Sequence, residues 1–203
     1  MNARNLLVPG CLSALLIIAA CGGAAQQVLL GRNALQTGRP EAAVPHLRQA
    51  AELDPNYRVS PTLRDSVLTY LGRAYYETGN FTEARSTLEK AVANDKDGHA
   101  ARLYLGLTLL RSGDQTRGRR ETESGLKGIY DWLEYVTSDN SYGIFWDPGR
   151  EIRSSIQRTL GGKLEANEFV ASAQRIGKLL DEEIDNARRD EARTLYSGGG
   201  GDM

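Results

Sequence analysis

Apolar residues recur at helical spacing along most of the chain. In the C-terminal part, Ile129, Leu133 and Val136 lie three or four residues apart, and the spacing continues further on. Positions three and four apart share one face of an α-helix, so the spacing predicts amphipathic helices rather than strands. We predict one helix that runs to about residue 137, a second that starts at Asp147-Pro148 and a third over about 165–196. Two apolar stripes define the last two helices: Ile152, Ile156 and Leu160, then Phe169, Ala173, Ile176, Leu180, Ile184 and Ala187.

A Leu-Gly pair occurs three times in the first half of the chain. The pairs begin at Leu30, Leu71 and Leu105, and the last two are 34 residues apart. We expect the paired glycine to let a neighbouring helix approach closely, and the leucine to fill the space between helices. A second glycine follows each pair where the first helix must stop, a position that favours a left-handed conformation. These three glycines are Gly38, Gly79 and Gly113.

The repeats resemble the tetratricopeptide repeat, a 34-residue unit of two antiparallel helices. The second copy carries the pattern most fully, since Tyr75, Phe81 and Ala84 follow its Leu-Gly pair. The resemblance implies an all-α solenoid of about three units, at 24–57, 65–98 and 99–132, with an insertion at 58–64. A helical extension at 133–196 and a flexible glycine-rich tail at 197–203 complete the predicted organisation.

The third unit departs from the repeat pattern. Gly118, Thr122 and Gly125 occupy positions where the family carries alanine, an aromatic residue and alanine. Glycine inside a helix costs up to about 1 kcal/mol relative to alanine. Two alternatives follow: this helix is poorly packed, or another element presses closely on it.

The N-terminus has the features of a secretion signal. Arg4 precedes an apolar stretch from Leu6 to Ala20. The stretch would span roughly 22 Å as a helix, short of the roughly 30 Å of a membrane core. Small residues before Cys21 resemble the lipobox of bacterial lipoproteins, which implies a signal peptide at 1–20, a lipidated linker at 21–23 and an acylated Cys21. An ordinary signal peptide and an uncleaved anchor are the alternatives.

The resemblance to lipoproteins also implies a location. Cleavage would remove Cys11 and leave Cys21 as the sole cysteine, so no intramolecular disulfide could form. The position after Cys21 is Gly22 rather than the aspartate that retains such proteins in the inner membrane. The resemblance therefore implies attachment to the outer membrane, with the protein facing the periplasm.

Composition argues against several other classes of function. A net charge of −1 is unlike that of a dedicated nucleic-acid binder. The sequence has no phosphate-binding loop and no nucleophile elbow, and His46 and His99 stand far apart without other metal ligands nearby. The acidic run that includes Asp181, Glu182 and Asp185 indicates a solvated helix face. We therefore expect no catalysis, cofactor, metal or small-molecule substrate.

The resemblance implies that the first helix of each unit lines a concave groove that binds a protein or peptide partner. Some members of the family bind a partner's C-terminal carboxylate with a set of side chains that includes asparagines. Those asparagines are missing here, so we do not predict a carboxylate-binding site of this kind. Carried over by position, the groove residues are Arg32 and Leu35 in unit one; Arg73, Tyr76 and Glu77 in unit two; and Leu103, Leu107, Leu110 and Arg111 in unit three.

The leucines of unit three predict that something covers its concave side. Leu103, Leu107 and Leu110 lie away from the inter-repeat face, and a helix that is apolar on nearly all sides is buried on nearly all sides. The favoured cover is the chain's own C-terminal region, through the stripe at 152–160 or the stripe at 169–180. A client would then be confined to units one and two around Arg32, Arg73 and Tyr76. A partner helix is the alternative cover.

A loop rich in apolar residues precedes the helix start at Asp147. The favoured interpretation of Phe145 and Trp146 is that they close the core of the last repeat; the alternative is an exposed aromatic anchor for a partner.

Together these features predict a lipid-anchored periplasmic adaptor or assembly factor. A fixed structural subunit of an envelope complex is the alternative, and the sequence does not identify the partner, the oligomeric state or the envelope process.

Overall fold

In a computed structural model, the described residues are 23–59, 65–139 and 143–198. This part of the chain is all-α, as predicted. Its eight α-helices are α1 (Ala24–Gln36), α2 (Pro40–Leu53), α3 (Val67–Glu77), α4 (Phe81–Asn94), α5 (His99–Arg111), α6 (Gln115–Asp139), α7 (Glu151–Gly161) and α8 (Ala166–Gly198), with a 3-10 turn at Gly143–Phe145 before α7.

The first six helices form three stacked hairpins. Each helix packs against its neighbours in sequence, and α1, α3 and α5 also contact one another in order, which makes them one layer of the solenoid. A Cβ built on Gly31 would lie 2.5 Å from Leu47 Cγ, so the predicted close approach is confirmed there. The turn glycines adopt φ values of 70°, 77° and 93°, which confirms their left-handed conformation.

Leu30 corrects one packing prediction. Its counterparts Leu71 and Leu105 are buried between helices, whereas Leu30 is exposed. Those two leucines lie on helices that follow another hairpin, α3 after α2 and α5 after α4. Among the described residues no helix precedes α1, so Leu30 has nothing to pack against on its outer side.

The glycines of α6 allow close contact with α5. A Cβ on Gly118 would lie 2.7 Å from the backbone N of Leu110, and one on Gly125 would lie 2.5 Å from the backbone N of Leu103. Backbone atoms have little freedom to move aside. Of the two alternatives for unit three, close pressure from a neighbouring helix is therefore the correct one.

The insertion between the first two hairpins closes on itself at its base. Arg58 and Ser66 form an isolated antiparallel bridge, and the amide of Val59 donates to the carbonyl oxygen of Asp65 at 2.9 Å. These contacts hold the end of the segment after α2 next to the start of α3.

The start of α7 differs from the predicted N-cap at Asp147. The helix begins at Glu151, and Asp147 has a φ of 45°. The Asp147 carboxylate still accepts hydrogen bonds from the amides of Ile152 and Arg153, at 3.0 and 3.1 Å, and from Arg153 Nε at 2.9 Å. Asp147 thus satisfies free amides of the first turn from four residues upstream.

At the C-terminus, α8 extends two residues into the stretch predicted as a flexible tail. The helix ends at Gly198 rather than near residue 196. The remaining tail, 199–203, lies outside the described residues.

Candidate functional site

The concave side of the three hairpins is occupied by α8. Leu103 and Leu107 of α5 are fully buried, as are Phe169 and Ile176 of α8. A Cβ on Gly177 would lie 3.4 Å from Leu103 Cδ2, so the backbone of α8 runs close over α5. The chain's own C-terminal region therefore covers unit three, as the sequence predicted, and the cover is α8. Helix α7 packs on α6 and α8 instead.

A buried cluster of charged groups joins α8 to the first repeat. Arg32 Nη2 donates to Asp181 Oδ1 at 2.8 Å, and Arg32 Nε donates to the same oxygen at 3.1 Å. Arg32 Nη1 reaches Asp185 Oδ1 at 3.1 Å, and Gln36 Nε2 donates to Asp185 Oδ2 at 2.9 Å. Because both Arg32 and Asp181 are buried, each needs the other as a counter-ion.

The second repeat contributes to the same cluster. Arg73 Nη1 donates to Asp181 Oδ2 at 3.1 Å, and the Tyr70 hydroxyl donates to Asp181 Oδ1 at 3.2 Å. Arg73 Nε donates to Glu77 at 2.8 Å. Asp181 thus bridges arginines of α1 and α3, and we call Arg32, Tyr70, Arg73 and Asp181 the α8 clasp.

Asp65 is a second buried carboxyl group close to the α8 clasp. Burial, and then the negative charge of Asp181, raise the pKa of Asp65 to about 7, while Arg32 and Arg73 act in the opposite direction. One of its carboxyl oxygens, Oδ1, has no hydrogen-bond partner among the described residues. Burial also raises the pKa of Tyr70, which therefore remains a hydrogen-bond donor at neutral pH.

Beside α8 the groove opens into a cavity of about 410 Å³. Its walls include Tyr76, Tyr104 and Phe81 from the repeats and Lys178 from α8. The Tyr76 ring lies 6.0 Å from Phe81 and 6.1 Å from Tyr104 between centroids, so the three rings form one aromatic wall. At this cavity α8 leaves part of the concave side open.

These contacts correct the expectation that units one and two stay open to a client. Arg32, Arg73 and Tyr76 are buried, and the two arginines are held by α8. A partner cannot reach the arginines while α8 occupies the groove, because both are buried and already paired with acidic side chains. The other predicted groove residues fall into three groups: Leu35, Leu103 and Leu107 are buried; Glu77 and Leu110 are partly buried; and Arg111 is exposed at the cavity.

The loop before α7 contributes to the core. Trp146 is buried and meets Trp132 of α6 edge to face, with centroids 4.8 Å apart. Phe145 is partly buried against the same core. The alternative of an exposed aromatic anchor is therefore wrong for Trp146. Among the described apolar residues of this loop, Ile144 is the exposed one.

Sequence reasoning missed the role of Asp181, which it placed on a solvated charged face. The structure buries Asp181 and leaves its neighbour Glu182 exposed. One signal in the sequence distinguishes them: Asp181 lies four residues after Gly177 and three before Ile184, on the side of α8 that meets the repeats. Glu182 lies one position further around the helix.

Other chemistry has few candidates in the described part of the chain. No group of three or more His, Cys, Asp or Glu residues there could hold a metal ion. Within those same ranges, no helix has the length and apolar character needed to cross a membrane. The predicted lipidation site, Cys21, lies outside the described residues.

Comparison with known proteins identifies the repeats. The tetratricopeptide repeat family model matches residues 34–107, a range that runs from the end of α1 into α5. No curated protein and no solved structure matches the sequence. The match supports a role in protein–protein interaction, which is the usual role of such repeats.

Proposed function

The chain is a tetratricopeptide-repeat protein, and from that premise we propose that it is a lipid-anchored adaptor that binds a protein partner at the periplasmic face of the bacterial outer membrane. The observation that carries the interaction role is the stack of three helical hairpins, whose family forms surfaces for other proteins. The anchor is supported by Arg4, the apolar stretch and the small residues before Cys21.

The anchor is tested by membrane fractionation. The Cys21→Ala variant removes the sulfur that would be acylated, and we expect that protein to leave the membrane fraction. Metabolic labelling with a palmitate analogue should mark the wild-type chain and not the variant. A Cys21→Ala protein that stays in the membrane after normal processing would contradict the anchor.

A specific observation favours a second function, that of a permanent structural subunit. Helix α8 occupies most of the groove in which an exchangeable client would bind, and the two buried arginines of the groove are paired with Asp181. Such a protein would present its outer surfaces to fixed neighbours in an envelope complex.

Affinity purification from detergent-solubilised membranes separates the two functions. An adaptor should release its partner over time and with rising salt, because transient interfaces are small and polar. A structural subunit should retain neighbours in fixed stoichiometry through the same series. Recovery of the chain alone under mild conditions would contradict both functions.

A further inference from the structure

Among the described residues, one edge of the solenoid has no neighbouring helix. Helix α1 presents Gln26, Leu29, Leu30 and Asn33 on its outer side, and all four are exposed. Leu29 is 63% exposed and Leu30 is 42% exposed. We call these four residues the α1 edge.

The equivalent positions in the other repeats are covered. Leu30 corresponds to Leu71 and Leu105, which are 6% and 2% exposed. The counterparts of the other three are buried as well: Val67 and Ala101 for Gln26, Tyr70 and Tyr104 for Leu29, and Ala74 and Thr108 for Asn33.

Helices of the preceding hairpins supply the cover in units two and three. Helix α2 packs on α3, and α4 packs on α5. Helix α1 also contacts α3, and Arg32 of α1 lies over the ring of Tyr70, 5.4 Å from its centroid. The repeat geometry therefore places a helix on this side of each inner helix, and α1 lacks one among the described residues.

The α1 edge is uncharged and symmetrical in sequence. Its order is amide, leucine, leucine, amide, centred between positions 29 and 30. If a second α1 lies antiparallel across that centre, Gln26 faces Asn33 of the second copy and Leu29 faces Leu30 of the second copy. Amide side chains both donate and accept hydrogen bonds, so the facing amides are complementary. None of the four residues carries a charge, and the apolar residues lie together at the centre.

We propose that the α1 edge binds a second copy of this chain, with two α1 helices antiparallel about a two-fold axis. Such an interface is isologous, because the same surface serves both subunits. A single pair of helices buries less area than a stable dimer requires, so the dimer forms reversibly. This interface does not depend on the lipid anchor, since it uses residues of α1 alone.

Sedimentation equilibrium tests the proposal on the full mature chain, with Cys21→Ser to prevent disulfide dimers. Across a series from about 5 to about 500 µM, the average mass should rise from that of a monomer toward twice that value. The Leu30→Glu variant should weaken association by about tenfold or more, because it places a charge in the apolar centre. Leu53→Glu is the matched control: it changes an exposed leucine of α2 outside the α1 edge and should leave association unchanged.

A second pair of variants tests the register. Gln26→Lys/Asn33→Glu places opposite charges face to face and should tighten the dimer, whereas Gln26→Lys/Asn33→Lys places like charges together and should loosen it. Circular dichroism confirms that each variant is folded. A wild-type chain that stays monomeric over the whole series overturns the proposal, as does a dimer that Leu30→Glu leaves intact. A dimer that responds equally to both double variants overturns the antiparallel register.

Discussion

Arg32 and Asp181 form a buried ion pair 149 residues apart in sequence, with 2.8 Å between Arg32 Nη2 and Asp181 Oδ1. The pair joins the first repeat to the last helix. Because Arg73 of the second repeat binds the other carboxylate oxygen, one aspartate connects two repeats to α8. The groove of units one and two, which the sequence predicted to be open to a client, is thereby occupied by the chain itself.

Removing the shared carboxylate should destabilise the fold. Asp181→Ala leaves Arg32 and Arg73 buried with reduced compensation, and breaking a buried pair in this way typically costs about 3–5 kcal/mol. Urea unfolding followed by circular dichroism measures the loss. Glu182→Gln is the control, because that exposed neighbour should change stability by no more than about 0.5 kcal/mol. Equal effects of the two substitutions would show that the α8 clasp contributes nothing.

The buried carboxyl of Asp65 should make stability depend on pH. Its folded pKa of about 7 lies above the ordinary value of 3.8, so the folded state holds a proton that the unfolded state has released. The contribution of Asp65 to the free energy of unfolding is therefore greatest at low pH. It falls as pH rises from about 4 to about 7, by on the order of 2–4 kcal/mol. Above that range its contribution no longer changes.

The comparison of wild type with Asp65→Asn isolates this group. His99 affects the pH dependence of stability in the opposite direction. Burial lowers the pKa of His99, so its contribution to the stability of the folded state increases as pH rises. As pH rises from 5 to 8, the unfolding free energy of the wild-type chain should fall relative to that of the Asp65→Asn variant. A constant difference over that range would mean that Asp65 does not titrate there in the folded state.

Alanine should be worse than glycine inside α6, against the usual helix preference. At Gly118 a Cβ would meet the backbone of α5, and overpacking of this kind costs about 1–3 kcal/mol. At Gly161 of α7 a Cβ would meet nothing within 4 Å, so alanine there should be neutral or stabilising by up to about 1 kcal/mol. Thermal unfolding of the two variants gives the comparison, and a stabilising Gly118→Ala would refute the close contact of α5 and α6.

Truncating the buried tryptophan should cost more than truncating its exposed neighbour. Trp146→Ala removes an edge-to-face contact with Trp132 and a buried side chain, a loss of about 3–5 kcal/mol. Ile144→Ala, in the same turn, should change stability by no more than about 0.5 kcal/mol. Chemical unfolding of both proteins measures the difference. An unchanged Trp146→Ala protein would mean that the loop does not close the core.

The fold was largely predictable because the packing of each repeat is determined by residues within that repeat. The glycines of the Leu-Gly pairs and of the turns predict close approach and left-handed backbone from sequence alone, and Gly31 and Gly38 show both. The exposure of Leu30 was not predictable in this way, since a repeat pattern treats the first unit like the others. What differs is that, within the described part of the chain, no helix precedes α1, and this is a property of the stack rather than of one repeat.

The site was harder to predict because it depends on contacts between distant segments. The apolar stripe of α8 indicated that the helix is buried, but not which charged residue on that side finds a counter-ion. Asp181 and Glu182 differ by 100° around the helix, so helical position places Asp181 nearer the repeats, but its pairing depends on Arg32 and Arg73, which lie in distant segments.

Hydrogen–deuterium exchange most directly tests the claim that α8 fills the groove of the repeats. In the wild-type chain, amides of α8 from about Ala173 to Ala187 should exchange as slowly as those of α5, since both helices lie in one core. Asp181→Asn should speed exchange in α1 and α3, which contact α8 through Arg32 and Arg73, whereas Glu182→Gln should not. Rapid exchange throughout α8 in the wild type, with α1 and α3 insensitive to Asp181→Asn, would contradict the account.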